Sequence, residues 1–318
     1  MGGDSEKPGA SKLIERASWA LCAVPLIGAV ELGMHMVQTN SVLRDQDWGA
    51  ARDAVKADFK PGDLVVFEPF WTDPQGRRFF GDALAPLKNE ARPDTSRYAR
   101  VFEVSARGKH DPNIARWKKA SERTVGPFTI TLFENPSPAK VLTDLVDLVG
   151  PERLVVSVVT PTGEQACPFS RGGGSPGGLG VPQGPATPGD RFNCSGGHVG
   201  VAVLHAIDHH PHLCIFATAA SGANTLRMKF KNVTFGETLH GNDGVQWVTE
   251  RTPTQERVYL AFSAFDRPIG THAHKVGSGW TNFELLTSDI ANKQGDLVVE
   301  ISATGPGGRQ FCFEADTR

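Results

Sequence analysis

The stretch "HVGVAVLHAIDHHPHLCIFATAA", residues 198–220, decides the fold of the longer part of the chain. Two short apolar runs, rich in β-branched residues, flank a polar segment with three histidines and a proline. Short runs of this kind, bounded by turn-forming residues, are typical of β-strands. Residues 198–220 therefore predict two strands joined by an exposed turn.

Segments of the same kind recur from Leu154 to the end of the chain. They include RLVVSVVT (153–160), NTLRMKFKNVTF (224–235), GVQWVTERT (244–252), RVYLAFSAF (257–265), WTNFELLT (280–287), GDLVVEISA (295–303) and RQFCFEAD (309–316). Many short strands without helical periodicity predict an antiparallel, jelly-roll-like β-sandwich over residues 152–318. Residues 168–193, which are rich in Gly and Pro, form an insertion in that domain.

Residues 45–150 have a different pattern, in which helices and strands alternate. Trp48, Ala51 and Val55 recur at three- and four-residue spacing and predict a helix, which ends before a strand that begins at Leu64. We also expect helices over 111–122 and 137–149. This order predicts a small α/β layer domain over 45–150, so the fold class is α+β with more than one domain.

The apolar run "ASWALCAVPLIGAVELGMHMV", residues 17–37, has the length of a membrane helix if Glu31 and His35 lie near one end. Lys12 and Arg16 precede it, and no clear cleavage site follows it. We predict a cytoplasmic tail over 1–16 and a transmembrane anchor over 17–38, with a cleaved signal peptide or a buried soluble helix as the alternatives. Either membrane interpretation makes the rest of the chain extracytoplasmic, in the periplasm or at the cell surface.

Cysteine usage is compatible with export, because four of the five cysteines lie in the C-terminal half of the chain. Four cysteines allow three pairings. We favour Cys167–Cys194, which would close the Gly/Pro-rich insertion, and Cys214–Cys312, which would join an early strand of the last domain to its final strand. Four free thiols are the alternative.

Charge and motifs exclude several classes of function. The 318 residues carry a formal net charge of −2, so the basic field that nucleic-acid binding requires is missing and no nucleic-acid partner is expected. The sequence contains no P-loop, no dinucleotide-binding glycine motif, no G-x-S-x-G and no H-E-x-x-H. No cofactor is expected, with a divalent metal as the alternative.

The segment "RDQDWGAARDAVKADFKPGDLVVFEPFWTDPQGRRFFGD", residues 44–82, resembles the region after the last membrane helix of GT-C glycosyltransferases, the family-39, polyprenyl-phosphate-dependent group. The resemblance covers residues 17–135. It implies an extracytoplasmic location and a multi-span membrane partner. That family carries its catalytic acids in the first loop of a bundle of membrane helices, so no catalytic residue is carried over to this chain.

The last domain resembles galactose-binding-like β-sandwich modules in the segments "LRMKFKNVTFGETLHG" (226–241) and "GSGWTNFELLTSDIANKQGDLVVEISA" (277–303). This resemblance implies a ligand held by loops at one end of a jelly roll. Sugar binding requires an aromatic surface with polar groups around it. The candidates are His240, Asn242, Asp243, Trp247, Arg251 and Trp280, although tryptophans in a sandwich also serve as core and Asn242-Asp243-Gly244 suits a turn.

Two other groups of side chains could carry chemistry. The histidine-rich turn offers metal ligands, with further histidines at 272 and 274, but we favour the alternative that its histidines are merely solvated. The residues of the turn are His205, Asp208, His209, His210 and His212. Acids follow the first strand near Arg77, where α/β folds place ligands and where paired carboxylates could exchange protons; they are Glu68, Asp73 and Asp82.

Three hypotheses for the function follow. The first is a membrane-anchored, extracytoplasmic accessory that binds a glycan or envelope polysaccharide and does not catalyse a reaction by itself. The second is a component of a glycosyltransferase, or a metal-dependent enzyme that uses the acids or the histidines. The third is a structural module that binds a protein partner.

Overall fold

The computed structural model describes residues 23–36, 42–92, 94–173, 188–205, 210–251, 256–304 and 309–318. The first helix, α1, covers residues 23–36 and is exposed along its whole length. Within these ranges no helix has the length and apolar character needed to cross a membrane. The predicted tail, 1–16, lies outside the described residues, and the predicted anchor, 17–38, extends beyond α1 at both ends into residues that are also outside them.

The first unit is a four-stranded sheet with helices packed against it. The strands are β1 (Leu64–Glu68), β2 (Arg100–Ala106), β3 (Lys118–Val125) and β4 (Phe128–Glu134), in the order β1-β2-β4-β3. Strands β1 and β2 are parallel, and the other pairs are antiparallel. The helices are α2 (Asp45–Asp58), α3 (Asp73–Phe80) and α4 (Leu87–Glu90), with 3-10 turns at Phe70–Thr72 and Thr95–Arg97.

Helix α2 forms as its periodicity predicts, because Trp48, Ala51 and Val55 are buried on one face. Trp48 packs against Phe128 of β4, with the ring centroids 4.5 Å apart. Helix α3 comes close to β1 at Gly76, where a Cβ atom would lie only 2.3 Å from the ring of Phe67. Glycine at this position therefore sets how closely the chain after β1 folds back on the sheet.

The helices predicted over 111–122 and 137–149 are wrong. Residues 118–125 form the edge strand β3, whose charged side chains face solvent and conceal the strand pattern, as is common at sheet edges. In the second segment Thr143–Asp144 forms the short strand β5, and Leu145 and Val146 enter the core of the larger unit. A 3-10 turn, Val146–Leu148, follows it.

The larger unit is a β-sandwich, and the predicted antiparallel sandwich is confirmed. In one sheet the strand order is β8-β9-β10-β11-β18-β13-β16. The short strand β5 pairs with the end of β18, next to the place where β11 stops pairing with it. The other strands of this sheet are β8 (Phe169–Ser170), β9 (Arg191–Cys194), β10 (Gly197–His205), β11 (Pro211–Ser221), β13 (Thr238–Val245), β16 (Thr281–Leu286) and β18 (Arg309–Thr317). The other has the order β7-β6-β12-β17-β14-β15; its strands are β6 (Leu154–Thr160), β7 (Gly163–Ala166), β12 (Thr225–Thr234), β14 (Arg257–Ala264), β15 (Arg267–Lys275) and β17 (Gln294–Ala303). A short parallel contact between β11 and β17 connects them. A short helix, α5 (Trp247–Glu250), follows β13.

Alternation of side chains builds the core between the two sheets. In β12, Leu226, Met228 and Phe230 are buried, while Arg227 and Lys229 point to the opposite, outer face. The inward side chains of both sheets form one apolar cluster. The period of two that predicted the strands is therefore the same feature that fills the sandwich.

Both predicted disulfides are confirmed. Cys167 and Cys194 are bonded and bracket the Gly/Pro-rich insertion, most of which lies outside the described residues. Cys214 and Cys312 join β11 to β18 within one sheet. Their Cα atoms are 4.6 and 5.6 Å apart, which is the spacing that a disulfide requires.

A buried network of ion pairs joins the two units. The side chain of Arg92 is only 8% exposed, and its Nη1 lies 2.9 Å from Asp144 Oδ2 and 3.4 Å from Glu314 Oε2. Arg97 also pairs with Asp144, at 3.0 Å. Beside these pairs, the backbone N–H of Leu213 in β11 donates to the carbonyl of Ala91 at 2.7 Å. The two units are therefore fixed against each other by directional bonds.

We predict that Arg92→Met destabilises the protein by about 3–5 kcal/mol, because Glu314 would remain buried without its cation and Asp144 would keep only Arg97. Chemical denaturation measures this loss. The matched control is Arg52→Met, whose partner Asp53 is at the surface, with side chains 42% and 67% exposed; its cost should stay below about 1 kcal/mol. Equal costs for the two variants would contradict the importance of the junction.

Candidate functional site

A cleft of about 710 Å³ lies between the two units. The first unit contributes the end of β1 and the turns beside it, because the carboxyl ends of the parallel strands β1 and β2 meet at this edge. The sandwich contributes one sheet, through β11, β13 and the start of β16. The polar and aromatic side chains that line the cleft include Glu68, Phe70, Asp73, Glu90, Arg92, Asp111, Asn113, His210, His212, Asn242, Trp280 and Asn282.

Glu68 and Asp111 form the acidic side of the cleft. Burial and the nearby charges of Asp111 and Glu103 raise the pKa of Glu68 to about 7. Glu103 lies behind them, fully buried, and its carboxylate contacts His110 Nδ1 at 2.6 Å. At neutral pH Glu68 can therefore both give and accept a proton.

A second acidic group belongs to α3 and α4. Arg77 Nε lies 2.9 Å from both Asp73 Oδ2 and Glu90 Oε2. Burial and the charge of Asp73 raise the pKa of Glu90 to about 11, so this carboxyl group is neutral at physiological pH. Within the described ranges, Glu90 Oε1 is buried and has no hydrogen-bond partner.

Trp280 and His212 form the aromatic wall of the cleft. Their rings are stacked, with centroids 4.1 Å apart and planes 13° apart. Trp280 also packs over Gly244 and against the cluster around the Cys214–Cys312 disulfide. Its Nε1 is buried without a hydrogen-bond partner in the part of the chain that the structure describes.

Phe70 supplies the open aromatic surface. It is 38% exposed, and its ring lies 4.8 Å from that of His210 at an angle of 37°. The ring faces of Trp280 are covered by neighbouring groups, so Trp280 only forms a side of the cleft. The ring of Phe70 is open and can pack against the flat face of a ligand.

Asn242 presents its amide from β13. Its Nδ2 donates to Glu314 Oε1 at 2.9 Å, which fixes the orientation of the amide. Burial raises the pKa of Glu314 to about 7, against the opposing effects of Asn242 and of the Arg92 charge. The junction of the two units and the wall of the cleft therefore share one hydrogen-bond network.

Asp243 lies behind the cleft at the centre of a buried polar cluster. Its carboxylate lies 3.0 Å from His272 Nε2 and 3.2 Å from His274 Nδ1, and it accepts a bond of 2.5 Å from the hydroxyl of Thr281. Burial alone would raise the pKa of Asp243, but the bonds from His272 and His274 outweigh burial and lower it. Burial also opposes the charge on His274, but bonds to Asp243 and Glu250 raise its pKa to about 9.

Six of the residues predicted from the sequence meet in this cleft: Glu68, Asp73, His210, His212, Asn242 and Trp280. Four others do not line it, namely Asp82, His240, Asp243 and Arg251. Asp208 and His209 lie outside the described residues, as do the side chains of His205 and Trp247.

The predicted metal site over 205–212 therefore stays a prediction. Among the side chains that the structure describes, Asp94, His240 and Asp316 bring three potential ligand atoms together. Arg318 binds the carboxylates of both Asp94 and Asp316, so a cation already lies against these acids.

Sequence reasoning missed several residues of the cleft. Phe70 stands in "FWT", directly after the predicted strand, and an aromatic at the carboxyl end of a strand was the available signal. Glu90, Arg92 and Asp111 carried no local signal, because they reach the cleft through contacts between distant parts of the chain.

No family model matches this chain, and no curated protein matches its sequence. Solved structures that align include a glycoside hydrolase domain of Endo-D from Streptococcus pneumoniae, at 18% identity and a TM-score of 0.25, over 37% of this chain and 20% of that one. The carbohydrate-binding module TmCBM61, in complex with β-1,4-galactotriose, aligns at 13% identity and a TM-score of 0.25, over 37% and 82% of the two chains. CBM51-2 with INT domains of Clostridium perfringens ZmpB aligns at 9% identity and a TM-score of 0.28, over 56% and 40%. This chain thus spans a fifth of the Endo-D domain, and these similarities are too weak to transfer any property to it.

We predict that His274 makes the protein less stable in alkali. Its raised pKa means that its contribution is complete below about pH 6.5 and is lost as the pH rises through about 9, a loss on the order of 3 kcal/mol. Unfolding free energies at about pH 6 and pH 10 should therefore differ less in His274→Gln than in the unchanged protein. An NMR titration gives an independent measurement, and an imidazole that titrates near pH 6.5 would contradict the prediction.

Proposed function

We propose that this protein is an extracytoplasmic glycan-binding protein and that the cleft between its two units holds the carbohydrate. One observation carries the proposal: an open aromatic surface and fixed planar polar groups converge on one concave surface. Carbohydrates need both, because their C–H faces pack on aromatic rings and their hydroxyl groups pair with amides and carboxyl groups.

The size of the cleft supports this proposal. Its volume of about 710 Å³ is within the range of roughly 300–1,000 Å³ that small-molecule sites occupy. Phe70 and His210 lie on one side, and the amides of Asn242 and Asn282 lie on the sandwich side. A ligand between them would contact an apolar face and an array of hydrogen-bonding groups together.

We expect Phe70→Ala to weaken glycan binding about tenfold, because the aromatic surface that packs against the sugar is lost. Neutral oligosaccharides on an array would identify a ligand, and calorimetry would then give the affinities. The control is Tyr259→Ala, since Tyr259 is 39% exposed and lies outside the cleft. Absence of glycan binding, or an equal loss in the control, would refute the proposal.

We further propose that the apolar segment 17–38 attaches the protein to a membrane. The support is α1, whose apolar side chains, such as Leu26 and Ile27, are 68% and 63% exposed. The relation of residues 17–135 to GT-C transferases and the multi-span partner that it implies belong to this proposal, and they rest on sequence resemblance alone.

Membrane attachment predicts that the full chain stays in the membrane fraction after a carbonate wash. Replacing Leu26 and Ile27 with Glu should release it, since charge within an apolar membrane segment is costly. Val42→Glu is the control, because Val42 is 60% exposed but lies beyond α1. Recovery of the unchanged protein in the soluble fraction would reject the attachment.

A further inference from the structure

We propose that the cleft selects a sugar that carries a protonated amine, and that Glu68 and Asp111 hold this ammonium group. The inference rests on the proposed glycan-binding function and names its ligand class: amino sugars with a free amine, in preference to neutral or acidic sugars.

The first argument is the charge of the cleft. Glu68 and Asp111 both line it, and neither forms an ion pair with any side chain in the described ranges. The neighbouring cations are already bound elsewhere: Arg92 pairs with Asp144 and Glu314, Arg77 pairs with Asp73 and Glu90, and His110 contacts Glu103. Among the described residues, these two carboxyl groups of the cleft thus have no ion-pair partner, although the backbone N–H of Asn113 donates to Asp111.

The second argument is the cost of that charge. Two carboxylates that face one cleft repel each other, and the raised pKa of Glu68 reflects burial first and this repulsion second. An ammonium group between Glu68 and Asp111 would replace the repulsion with charge-assisted hydrogen bonds. A uronate or phosphorylated sugar would add to the repulsion and be rejected.

The third argument separates an amino sugar from a bare cation. The residues Glu90 and Trp280 line the same cleft, and their Oε1 and Nε1 atoms are buried without hydrogen-bond partners among the described residues. The Glu90 side chain is only 5% exposed, and its other oxygen contacts Arg77. Such atoms are rare in folded proteins, and ligand hydroxyl groups would satisfy them. The one set of three potential metal-ligand atoms found in the described ranges lies elsewhere, at Asp94, His240 and Asp316.

The test compares a β-1,4-linked glucosamine tetramer with its N-acetylated counterpart, by calorimetry on the full chain near pH 7.5. We expect the free-amine tetramer to bind at least about tenfold more tightly, as a charge-assisted hydrogen bond would give. Glu68→Gln should bring the affinities for the two tetramers close together, so that most of this preference is lost. Asp82→Asn is the control, because it removes an exposed carboxylate near α3 but outside the cleft.

Acidity gives a second measurement. Because the pKa of Glu68 is about 7, the preference for the free amine should fall as the pH is lowered from about 7.5 to 5, and this fall should be absent in Glu68→Gln. Equal affinity for the two tetramers, a preference that does not change with pH, or the same effect from Asp82→Asn would overturn the amine selectivity and leave glycan binding standing. Failure of both tetramers to bind while the array detects another glycan would overturn the amine selectivity alone, and absence of binding to every glycan tested would overturn both proposals.

Discussion

The buried guanidinium group of Arg92 is the interaction on which the arrangement of the two units depends. This group is buried in the first unit and pairs with Asp144 and Glu314, which both belong to the sandwich. Buried ion pairs add little net stability compared with apolar packing, but a buried charge that has lost its partner is costly. The main effect of such a pair is therefore to fix the relative orientation of the two units, since any other orientation would leave a buried charge without its partner.

This constraint extends directly into the cleft. Glu314 receives Arg92 at one oxygen and the amide of Asn242 at the other, so the group that fixes the junction also fixes a polar group of the wall. Asp243 follows Asn242 in β13 and is held by His272, His274 and Thr281. The sandwich side of the cleft is thus rigid before any ligand arrives, and preorganisation of this kind reduces the entropy lost on binding.

Local patterns made much of the fold predictable, whereas contacts between distant residues did not. Helix α2 and strand β12 follow their apolar periods of 3.6 and 2. The favoured cysteine pairing was also correct, although the sequence allowed three pairings. The helix predicted over 137–149 was wrong, because Thr143 and Asp144 pair with the end of β18 and Leu145 packs in the sandwich core. Tertiary pairing overrode local propensity there.

The candidate site was harder still, because its halves lie far apart in the sequence. Glu68 and Trp280 were each recognised as candidates, but no local pattern places them in one cleft. Strand β18 shows what brings them together: Phe311 and Phe313 point into the sandwich, whereas Cys312, Glu314 and Asp316 point outward, yet all three are at most 4% exposed. The buried acids on this outward face need cations: Arg92 of the first unit pairs with Glu314, and Arg318 at the end of β18 pairs with Asp316. The cleft is the part of this sheet face that the first unit does not cover. The position of the site therefore follows from the same charges that hold the two units together.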